Sequence, residues 1–483
     1  MTDWILRGGT VIDGTGAPRQ RADVSIKGDR IAEIGTVSAA QGAGEIDVSG
    51  KVVAPGFIDV HTHDDRALFA SPDMAAKASQ GVTTVITGNC GVSLAPLALT
   101  QTPPPPLDLI GDAADYAYPR FADYLAALDR QPAAINAACL VGHSTLRVGA
   151  MPDLARAAGD AEIAAMGERL QEALDAGAIG MSTGLFYAPA SAAPPAEIEA
   201  LAKHLRHAGA LYTTHMRDET EQVLDSLEES FHVGQAARVP VVISHHKTTG
   251  VRNFGRTKET LPKIAAAMQG QEIGLDAYPY IASSTVLRTQ RIEDSLKVLI
   301  TWSKSHPEQA GRELDAIARD WGVSVLEAAD RLQPAGAIYW MMDEADVQRV
   351  LAFEHTMIGS DGLPHDVHPH PRLWGTFPRV LGHYCRDIGL FGLEVAVRKM
   401  TGLSAARFGL AGRGVLVPGA YADITVFDAD TIIDRATFAA PTTPAAGIEH
   451  VFVNGQPVWS TGAATGARPG RALRRQQMRA EAR

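Results

Sequence analysis

The sequence predicts a (β/α)8 barrel of the TIM type, a small β-sandwich domain formed from both termini, and an insert after the seventh barrel strand. In the middle of the chain, short apolar runs alternate with stretches such as AEIAAMGERLQEALDAG, in which apolar residues recur at helical spacing. At both ends, Asp-Gly or Asn-Gly pairs separate alternating apolar residues, a pattern typical of hairpins. The 483 residues suit a large barrel with appendages better than one ordinary core.

The barrel strands are predicted from runs that each precede helix-like sequence. In order, they are FIDVHTH, VTTVITGNC, AACLVGHS, AIGMSTGL, LYTTHM, VVISHH, IGLDAYP and HTMIGSD. The long interval between the last two predicts a lid or subdomain, and QTPPPPLDLIGDAADY is expected to line the barrel mouth. The expected division is 1–56 and 413–483 for the small β domain and tail, and 57–412 for the barrel, with the insert at about 281–350.

Composition narrows the class of partner. The net charge is -11, and apart from a short Arg-rich tail near residue 474 no basic run offers a nucleic-acid surface. No apolar run approaches the ~20 residues of a membrane span, and MTDWILRGGT lacks the layout of a signal peptide. Three cysteines make no disulfide framework. We therefore expect a cytoplasmic protein that acts on a small molecule, and the acidic composition is compatible with a monomer.

Metal-ligand residue types stand at the ends of the predicted strands. In a barrel of this type the active site lies at the C-terminal ends of the strands, and residues i and i+2 of a strand face the same side. The first run can therefore direct both of its histidines at one ion. The ligand types are His61 and His63 on the first run, Cys90 on the second, His215 on the fifth, His245 on the sixth and Asp361 on the eighth.

Each of these residues has a simpler interpretation when taken alone. A lone His-x-His is often a surface or core feature, and Cys90 alone reads as a small buried hydrophobe. Their shared position at strand ends favours a metal site. Other histidines are expected to have other roles. His143 suggests a hydrogen bond beside the site, His246 should point away from its neighbour His245, and His365, His368 and His370 fall in a proline-rich loop.

Imidazoles combined with a thiolate favour zinc over magnesium or calcium. A catalytic zinc keeps one position open for water and lowers the pKa of that water. Asp361 could take the proton from the water and pass it to a leaving group.

Several ordered motifs resemble those of one enzyme family. PGFIDVHTHDD, the strand ends and the split β domain resemble the amidohydrolase superfamily over essentially the whole chain. Within it, TGNCG, THMRDE, SHHK, DAYPY and GSDGLPH followed by HPRLWGTFPRVLG resemble the N-acyl-D-amino acid deacylases, or D-aminoacylases. Many binuclear members of the superfamily use a carbamylated lysine on the fourth strand, which AIGMSTGLFY lacks; the deacylases use a cysteine on the second strand, matching Cys90.

This resemblance implies roles for particular residues. It implies one tight zinc held by Cys90, His215 and His245, and a second, weaker position near His61, His63 and Asp361. It also implies that Asp361 is the general base and then the acid. Substrate-binding residues implied by motif position are Lys247, Tyr278 and Ser284 for the substrate carboxylate, and Tyr187 close to the substrate. Without the resemblance, these four would read as a solvated lysine, two packing tyrosines and a loop serine.

The expected activity is zinc-dependent hydrolysis of an N-acyl-D-amino acid to a carboxylate and a free D-amino acid, with neutral hydrophobic side chains preferred. Three alternatives stay open. An N-acyl-D-glutamate or N-acyl-D-aspartate deacylase would need a cation in the pocket, for which Arg372 and Arg379 are candidates. A cyclic amidase of the hydantoinase type would be expected to carry the missing lysine. A non-catalytic scaffold of the same fold would be expected to have lost ligands.

Overall fold

The structure is a computed structural model that describes residues 2–39, 42–475 and 477–478. The predicted tail therefore ends, at 479–483, outside the described residues. The strands in chain order are β1 (Trp4–Val11), β2 (Gln20–Lys27), β3 (Arg30–Gly35), β4 (Gly44–Asp47), β5 (Val52–Pro55), β6 (Phe57–Asp59), β7 (Val82–Thr87), β8 (Leu97–Ala98), β9 (Ala117–Tyr118), β10 (Asn136–Gly142), β11 (Gly180–Gly184), β12 (Leu211–His215), β13 (Val241–Ile243), β14 (Ile273–Ala277), β15 (Ala282–Val286), β16 (Lys297–Ser303), β17 (Ala335–Trp340), β18 (Thr356–Ile358), β19 (Ile424–Phe427), β20 (Ile448–Val453), β21 (Gln456–Ser460) and β22 (Ala463–Ala464).

Helices fill most of the intervals between barrel strands. They are α1 (Ala67–Ala70), α2 (Ala75–Ala78), α3 (Phe121–Arg130), α4 (His143–Ala150), α5 (Asp160–Ala176), α6 (Ala188–Ser191), α7 (Pro195–Ala208), α8 (Val223–Ala237), α9 (Thr257–Ala267), α10 (Thr289–Glu293), α11 (Leu314–Trp321), α12 (Val325–Leu332), α13 (Glu344–Ala352), α14 (Arg372–Arg379), α15 (Leu393–Met400) and α16 (Gly402–Phe408). Short 3-10 turns lie at Leu107–Leu109, Val251–Asn253 and Pro307–Gln309, and a π-helical stretch, Val380–Asp387, continues α14.

The predicted fold class is confirmed. Among the described residues, an eight-stranded parallel sheet runs in the order β6-β7-β10-β11-β12-β13-β14-β18, one strand for each predicted run. Its strands are buried along their length, as in β7, where every residue of VTTVIT is buried. The two outer strands of this order, β6 and β18, meet through the hydrogen bond from Asp361 N to His61 O (2.8 Å) and a bridge between Thr62 and Gly362.

Local sequence fixes where the surrounding helices begin and end. Pro195 opens α7, where its missing N–H is not needed, and Gly209, with φ 64°, ends that helix in the left-handed conformation. The longer α5 is likewise followed by a glycine of positive φ, Gly177. Both helices bury a stripe of leucine, isoleucine and alanine against the barrel core.

Three further sheets complete the fold within the described chain, one of them the short two-stranded pair β8-β9. The terminal segments build a nine-stranded sheet in which β5, from the N-terminal side, pairs with β19, from the C-terminal side. Strands from both ends share one apolar core. The insert after the seventh barrel strand is the antiparallel sheet β15-β17-β16, which packs on α11 and α12. None of the described helices combines the length and the apolarity that crossing a membrane requires.

Candidate active site

The six predicted ligand residues meet on one rim of the barrel, and all are buried. Each lies at or just after the C-terminal end of a strand, because parallel strands in a barrel end on the same side. They are His61 and His63 after β6, Cys90 after β7, His215 at the end of β12, His245 after β13, and Asp361 after β18.

The backbone is strained at three of these positions. The φ angles of Cys90, His245 and Asp361 are 52°, 34° and 51°, in the left-handed region that non-glycine residues rarely adopt. Such conformations cost about 1–3 kcal/mol each and persist only where the surrounding structure enforces them. Their coincidence with metal-ligand residue types supports a functional role for this rim.

Cys90, His215 and His245 form the first ligand group. Cys90 Sγ lies 3.6 Å from His215 Nδ1 and 3.4 Å from His245 Nε2, and the two nitrogens lie 2.9 Å apart. Tetrahedral zinc, with Zn–S of about 2.3 Å and Zn–N of about 2.0–2.1 Å, separates such atoms by roughly 3.3–3.6 Å. The two sulfur–nitrogen distances lie in this range, and the shorter nitrogen–nitrogen distance brings both imidazoles within reach of one ion, so these three soft or borderline donors fit zinc.

A second group lies against the first and shares Cys90. Asp361 Oδ1 lies 3.2 Å from His63 Nε2 and 3.6 Å from His61 Nε2, while His61 Nε2 lies 3.2 Å from Cys90 Sγ. Ligand atoms of His61, Cys90, His245 and Asp361 all lie within 4.8 Å of one another. These contacts fit a second ion beside the first.

The electrostatics favour the ionised forms of the thiol and the carboxyl group. Burial opposes ionisation of Cys90, but the His61 and His245 imidazoles hold its pKa well below the ordinary value. Burial likewise opposes ionisation of Asp361, but Arg372, whose Nη1 lies 2.8 Å from Asp361 Oδ2, and His245 hold the pKa of that carboxyl well below its usual range. Both groups therefore present negative charge to a cation.

Two buried carboxylates stand behind the imidazoles, and neither was predicted from the sequence. Asp276 Oδ1 lies 3.3 Å from His61 Nδ1 and accepts a hydrogen bond from His245 N (2.9 Å). Glu219 Oε1 lies 3.2 Å from His245 Nδ1. Carboxylates in this position fix the orientation of a ligating imidazole. The spacing of Glu219 from His215, four residues along the chain, and the place of Asp276 near the end of β14 were the available signals.

The four predicted substrate-binding residues line one cavity that opens beside the ligands. Lys247 Nζ donates to Glu219 Oε1 (2.6 Å), and Tyr187 Oη lies 3.0 Å from Thr285 Oγ1. The hydroxyls of Tyr278 and Ser284 are buried and have no hydrogen-bond partner among the described residues. Buried hydroxyls normally have a partner, so these two are available to a ligand.

A second cation, Arg291, faces this cavity beside Lys247 and was not predicted from the sequence. Arg291 is nearly buried, stacks 4.5 Å over the Phe186 ring and lies 3.9 Å from Glu219. Arg372 is fully buried and is engaged by Asp361 and by the carbonyl of Ser284. Arg379 instead pairs with Asp434 and the carbonyl of Pro279.

The remaining histidines make other contacts. His143 lies 2.9 Å from Glu197, and His246 lies 2.8 Å from Thr260 Oγ1. His368 and His370 contact the backbone carbonyls of Phe438 and Ala282. His365 is partly buried, which lowers its pKa to about 4.

A parallel barrel with imidazoles, a thiolate and a carboxylate on one rim, beside a cavity that holds a lysine, is the architecture of a metal-dependent hydrolase. The amidohydrolase family model matches residues 44–282 and 326–459. D-aminoacylase from Alcaligenes xylosoxydans xylosoxydans is 60% identical over 473 residues, covering 98% of each chain.

Solved structures agree with the sequence relatives. A crystal structure of D-aminoacylase is 58% identical, with a TM-score of 0.96 over 98% of this chain and 100% of that one. N-acyl-D-glutamate deacylase from Bordetella bronchiseptica, solved with zinc and a phosphonate inhibitor, is 49% identical, with a TM-score of 0.95 over 98% and 99% of the two chains. The chain therefore belongs to the amidohydrolase family, and within it to the D-aminoacylases.

Proposed function

We propose that this protein is a zinc-dependent N-acyl-D-amino acid deacylase. Its reaction is hydrolysis of the amide bond between the acyl group and the D-amino acid, giving a carboxylate and a free D-amino acid. The observation that carries the proposal is the buried group of Cys90, His215 and His245, with Asp361 beside it, at the floor of the cavity that Lys247 lines. The relatives named above, which include a zinc-bound deacylase, support the same activity.

When bound, zinc polarises the amide carbonyl and lowers the pKa of a water molecule. Asp361 takes a proton from the attacking water as the oxygen of that water forms a bond to the carbonyl carbon. Arg372 holds Asp361 Oδ2 (2.8 Å), which leaves Oδ1 to face the imidazoles and the reacting water. Asp361 then donates the proton to the amine nitrogen as the C–N bond breaks.

The cavity offers a fixed charge for the substrate carboxylate. Lys247, with the unpartnered hydroxyls of Tyr278 and Ser284, would bind that carboxylate and so orient the α-carbon relative to Asp361. Tyr187, on the ligand side of the cavity and 5.0 Å between ring centroids from His215, would lie against the acyl end. With the carboxylate and the amide held on these groups, the two enantiomers differ in where the side chain points, so the cavity wall is the third contact that distinguishes them.

The cavity wall favours neutral side chains on the substrate. Its remaining lining includes the apolar residues Val92, Leu109, Ile110 and Leu363. A second candidate activity is deacylation of acidic N-acyl-D-amino acids, because Arg291 faces the same space and its Nε has no hydrogen-bond partner among the described residues. The two candidate activities share one mechanism. They differ only in whether the substrate side chain that faces Arg291 is neutral or acidic.

Chirally resolved hydrolysis tests the proposal. Zinc-loaded protein is given N-acetyl-D-methionine, N-acetyl-L-methionine, N-acetyl-D-glutamate and hydantoin in parallel. We expect release of D-methionine, with the L-isomer and hydantoin untouched. Faster release of D-glutamate would instead assign Arg291 to the substrate side chain. Turnover of hydantoin alone, or of none of the four despite bound zinc, would contradict the proposal.

We also propose that the enzyme is a cytoplasmic monomer whose barrel, 57–412, carries catalysis, while 1–56 and 413–483 form the small domain. The unpaired state of Cys90, Cys139 and Cys385 is compatible with a reducing compartment. Size-exclusion chromatography with light scattering tests the oligomeric state.

A further inference from the structure

The barrel has a seam between β6 and β18, and the second ligand group lies across it. His61 and His63 follow β6, whereas Asp361 follows β18. In the described chain these two strands are not joined by a regular ladder, and the direct link nearest the site is the hydrogen bond from Asp361 N to His61 O (2.8 Å). The relative position of these ligands therefore depends on what holds the seam closed.

Lys77, on the short helix α2, lies behind this seam. The side chain is 1% exposed, and its Nζ donates to Asp59 Oδ2 (2.8 Å) and to Ser360 Oγ (2.8 Å). Asp64 Oδ2 lies 3.2 Å away as an ion-pair partner. An ammonium group has three N–H donors, and three acceptors surround this one.

The partners of Lys77 are themselves attached to the ligand segments. Asp59 Oδ1 accepts a hydrogen bond from Ser360 N (2.8 Å) and a longer one from His61 N (3.4 Å). Ser360 Oγ accepts from Gly362 N (3.2 Å). Asp59 precedes His61 by two residues, Asp64 follows His63, and Ser360 precedes Asp361. One buried cation thus joins both sides of the seam next to three ligand residues.

We propose that Lys77 is a positioning residue that locks the seam between the first and eighth barrel strands and so holds His61, His63 and Asp361 in register. The role rests on the proposed function of Asp361 as the proton-transferring group. Without Lys77, the Asp59 and Asp64 carboxylates face each other across a buried space with no counter-charge, and the two ligand segments lose their common anchor. Cys90, His215 and His245 lie on other strands and keep their geometry.

A second buried lysine provides a matched control. Lys399, on α15, is 1% exposed, and its Nζ donates to the backbone carbonyls of Phe353 and Thr356, before and at the start of β18. It therefore supports the opposite end of the same strand from Ser360 and Asp361. Loss of either lysine disturbs the core, but only loss of Lys77 should disturb the ligands.

The test compares Lys77→Met, Ser360→Ala and Lys399→Met with the wild type. Thermal unfolding reports folding, chelator competition reports the affinity for the first and second zinc, and steady-state kinetics with N-acetyl-D-methionine report kcat and KM. For Lys77→Met we expect the first zinc to bind as in the wild type and the second about 10–100-fold more weakly. We expect kcat to fall about 100-fold with KM nearly unchanged. Ser360→Ala should lower the affinity for the second zinc and kcat, each by several-fold. Lys399→Met should lower only the unfolding temperature.

Wild-type kcat and wild-type binding of the second zinc in both Lys77→Met and Ser360→Ala would overturn the proposal. An equal loss in Lys399→Met would also overturn it, because the effect would then be general destabilisation. If Lys77→Met does not fold, Ser360→Ala decides. Inactivity of the wild type toward N-acetyl-D-methionine would count against the proposed function, and the chelator titration would still decide the role of Lys77.

Discussion

Asp361 has two carboxylate oxygens with different partners, and this division fits a group that accepts and returns a proton. Asparagine has nearly the same shape but cannot accept the proton, so Asp361→Asn should lower kcat by about 10³-fold. The variant should still hold one zinc per chain, because Cys90, His215 and His245 are unchanged. Metal analysis beside steady-state kinetics checks both expectations. Loss of the zinc together with activity would mean that Asp361 acts mainly as a ligand.

Glu219 connects the group of Cys90, His215 and His245 to Lys247, the proposed substrate-binding lysine. Its Oε1 lies 3.2 Å from His245 Nδ1 and 2.6 Å from Lys247 Nζ. Glu219→Gln removes the negative charge that faces both the His245 imidazole and the Lys247 ammonium group. We therefore expect the affinity for zinc to fall about 10–100-fold, and KM to rise because Lys247 loses its anchor. Chelator competition and kinetics at saturating zinc separate the two effects. The matched control is Glu221→Gln, two residues along the chain on an exposed side chain, which should change neither quantity.

At the scale of elements, Glu197 joins three segments beside the barrel. From α7 it lies 2.9 Å from His143 Nε2, pairs with Arg147 on α4, and accepts from Ala158 N (3.1 Å) before α5. Arg147 is fully buried, so Glu197→Gln would leave its charge without a counter-ion. We expect the free energy of unfolding to fall by about 3 kcal/mol at pH 7. Denaturant unfolding measures this loss.

The same carboxylate gives a pH dependence of defined sign. Burial opposes ionisation of Glu197, but His143 and Arg147 lower its pKa to about 2, against an ordinary value of 4.5. A lowered pKa means that the unfolded chain takes up the proton first, so the stabilisation is complete above pH 4.5 and is lost as the pH falls towards 2. The difference between wild type and Glu197→Gln should therefore be constant near neutrality and shrink below pH 4.5. Glu199→Gln, on the same helix as Glu197, breaks a surface pair with His232 of α8 and should cost at most about 1 kcal/mol at any pH.

The elements themselves could be predicted because their signals are local. A buried parallel strand reads as a short run of β-branched residues, as VTTVIT does, and the residue types that follow each run stand at the C-terminal rim. Cys90, His215 and His245 could be assigned to one rim for this reason. The left-handed backbone at Cys90, His245 and Asp361 could not be predicted, because only the packed barrel forces non-glycine residues into that conformation.

At the scale of the whole molecule, the contacts that the sequence does not reveal are those between distant segments. Lys77 lies in AAKAS, which reads as a helix with a solvated charge, yet its partners are 18 and 283 positions away. Arg291 belongs to the insert and faces the cavity only because the insert packs over the barrel mouth. Such pairings depend on the closed fold, so no spacing rule along the chain predicts them.

Zinc should also stabilise the whole barrel, since its proposed ligands lie at or just after the ends of β7, β12 and β13 and come together only in the folded chain. At free zinc about 1,000-fold above its dissociation constant, this linkage contributes about 4 kcal/mol. With an unfolding entropy of about 2.1 cal/mol/K per residue, this free energy raises the unfolding temperature of a chain of this length by roughly 4 °C. We expect a chelator to lower the unfolding temperature of the wild type by about this amount. Cys90→Ala should start near the lower temperature and respond little to the chelator, because it lacks the thiolate of the tight site. A zinc-dependent shift of wild-type size in Cys90→Ala would show that the tight metal is held without Cys90.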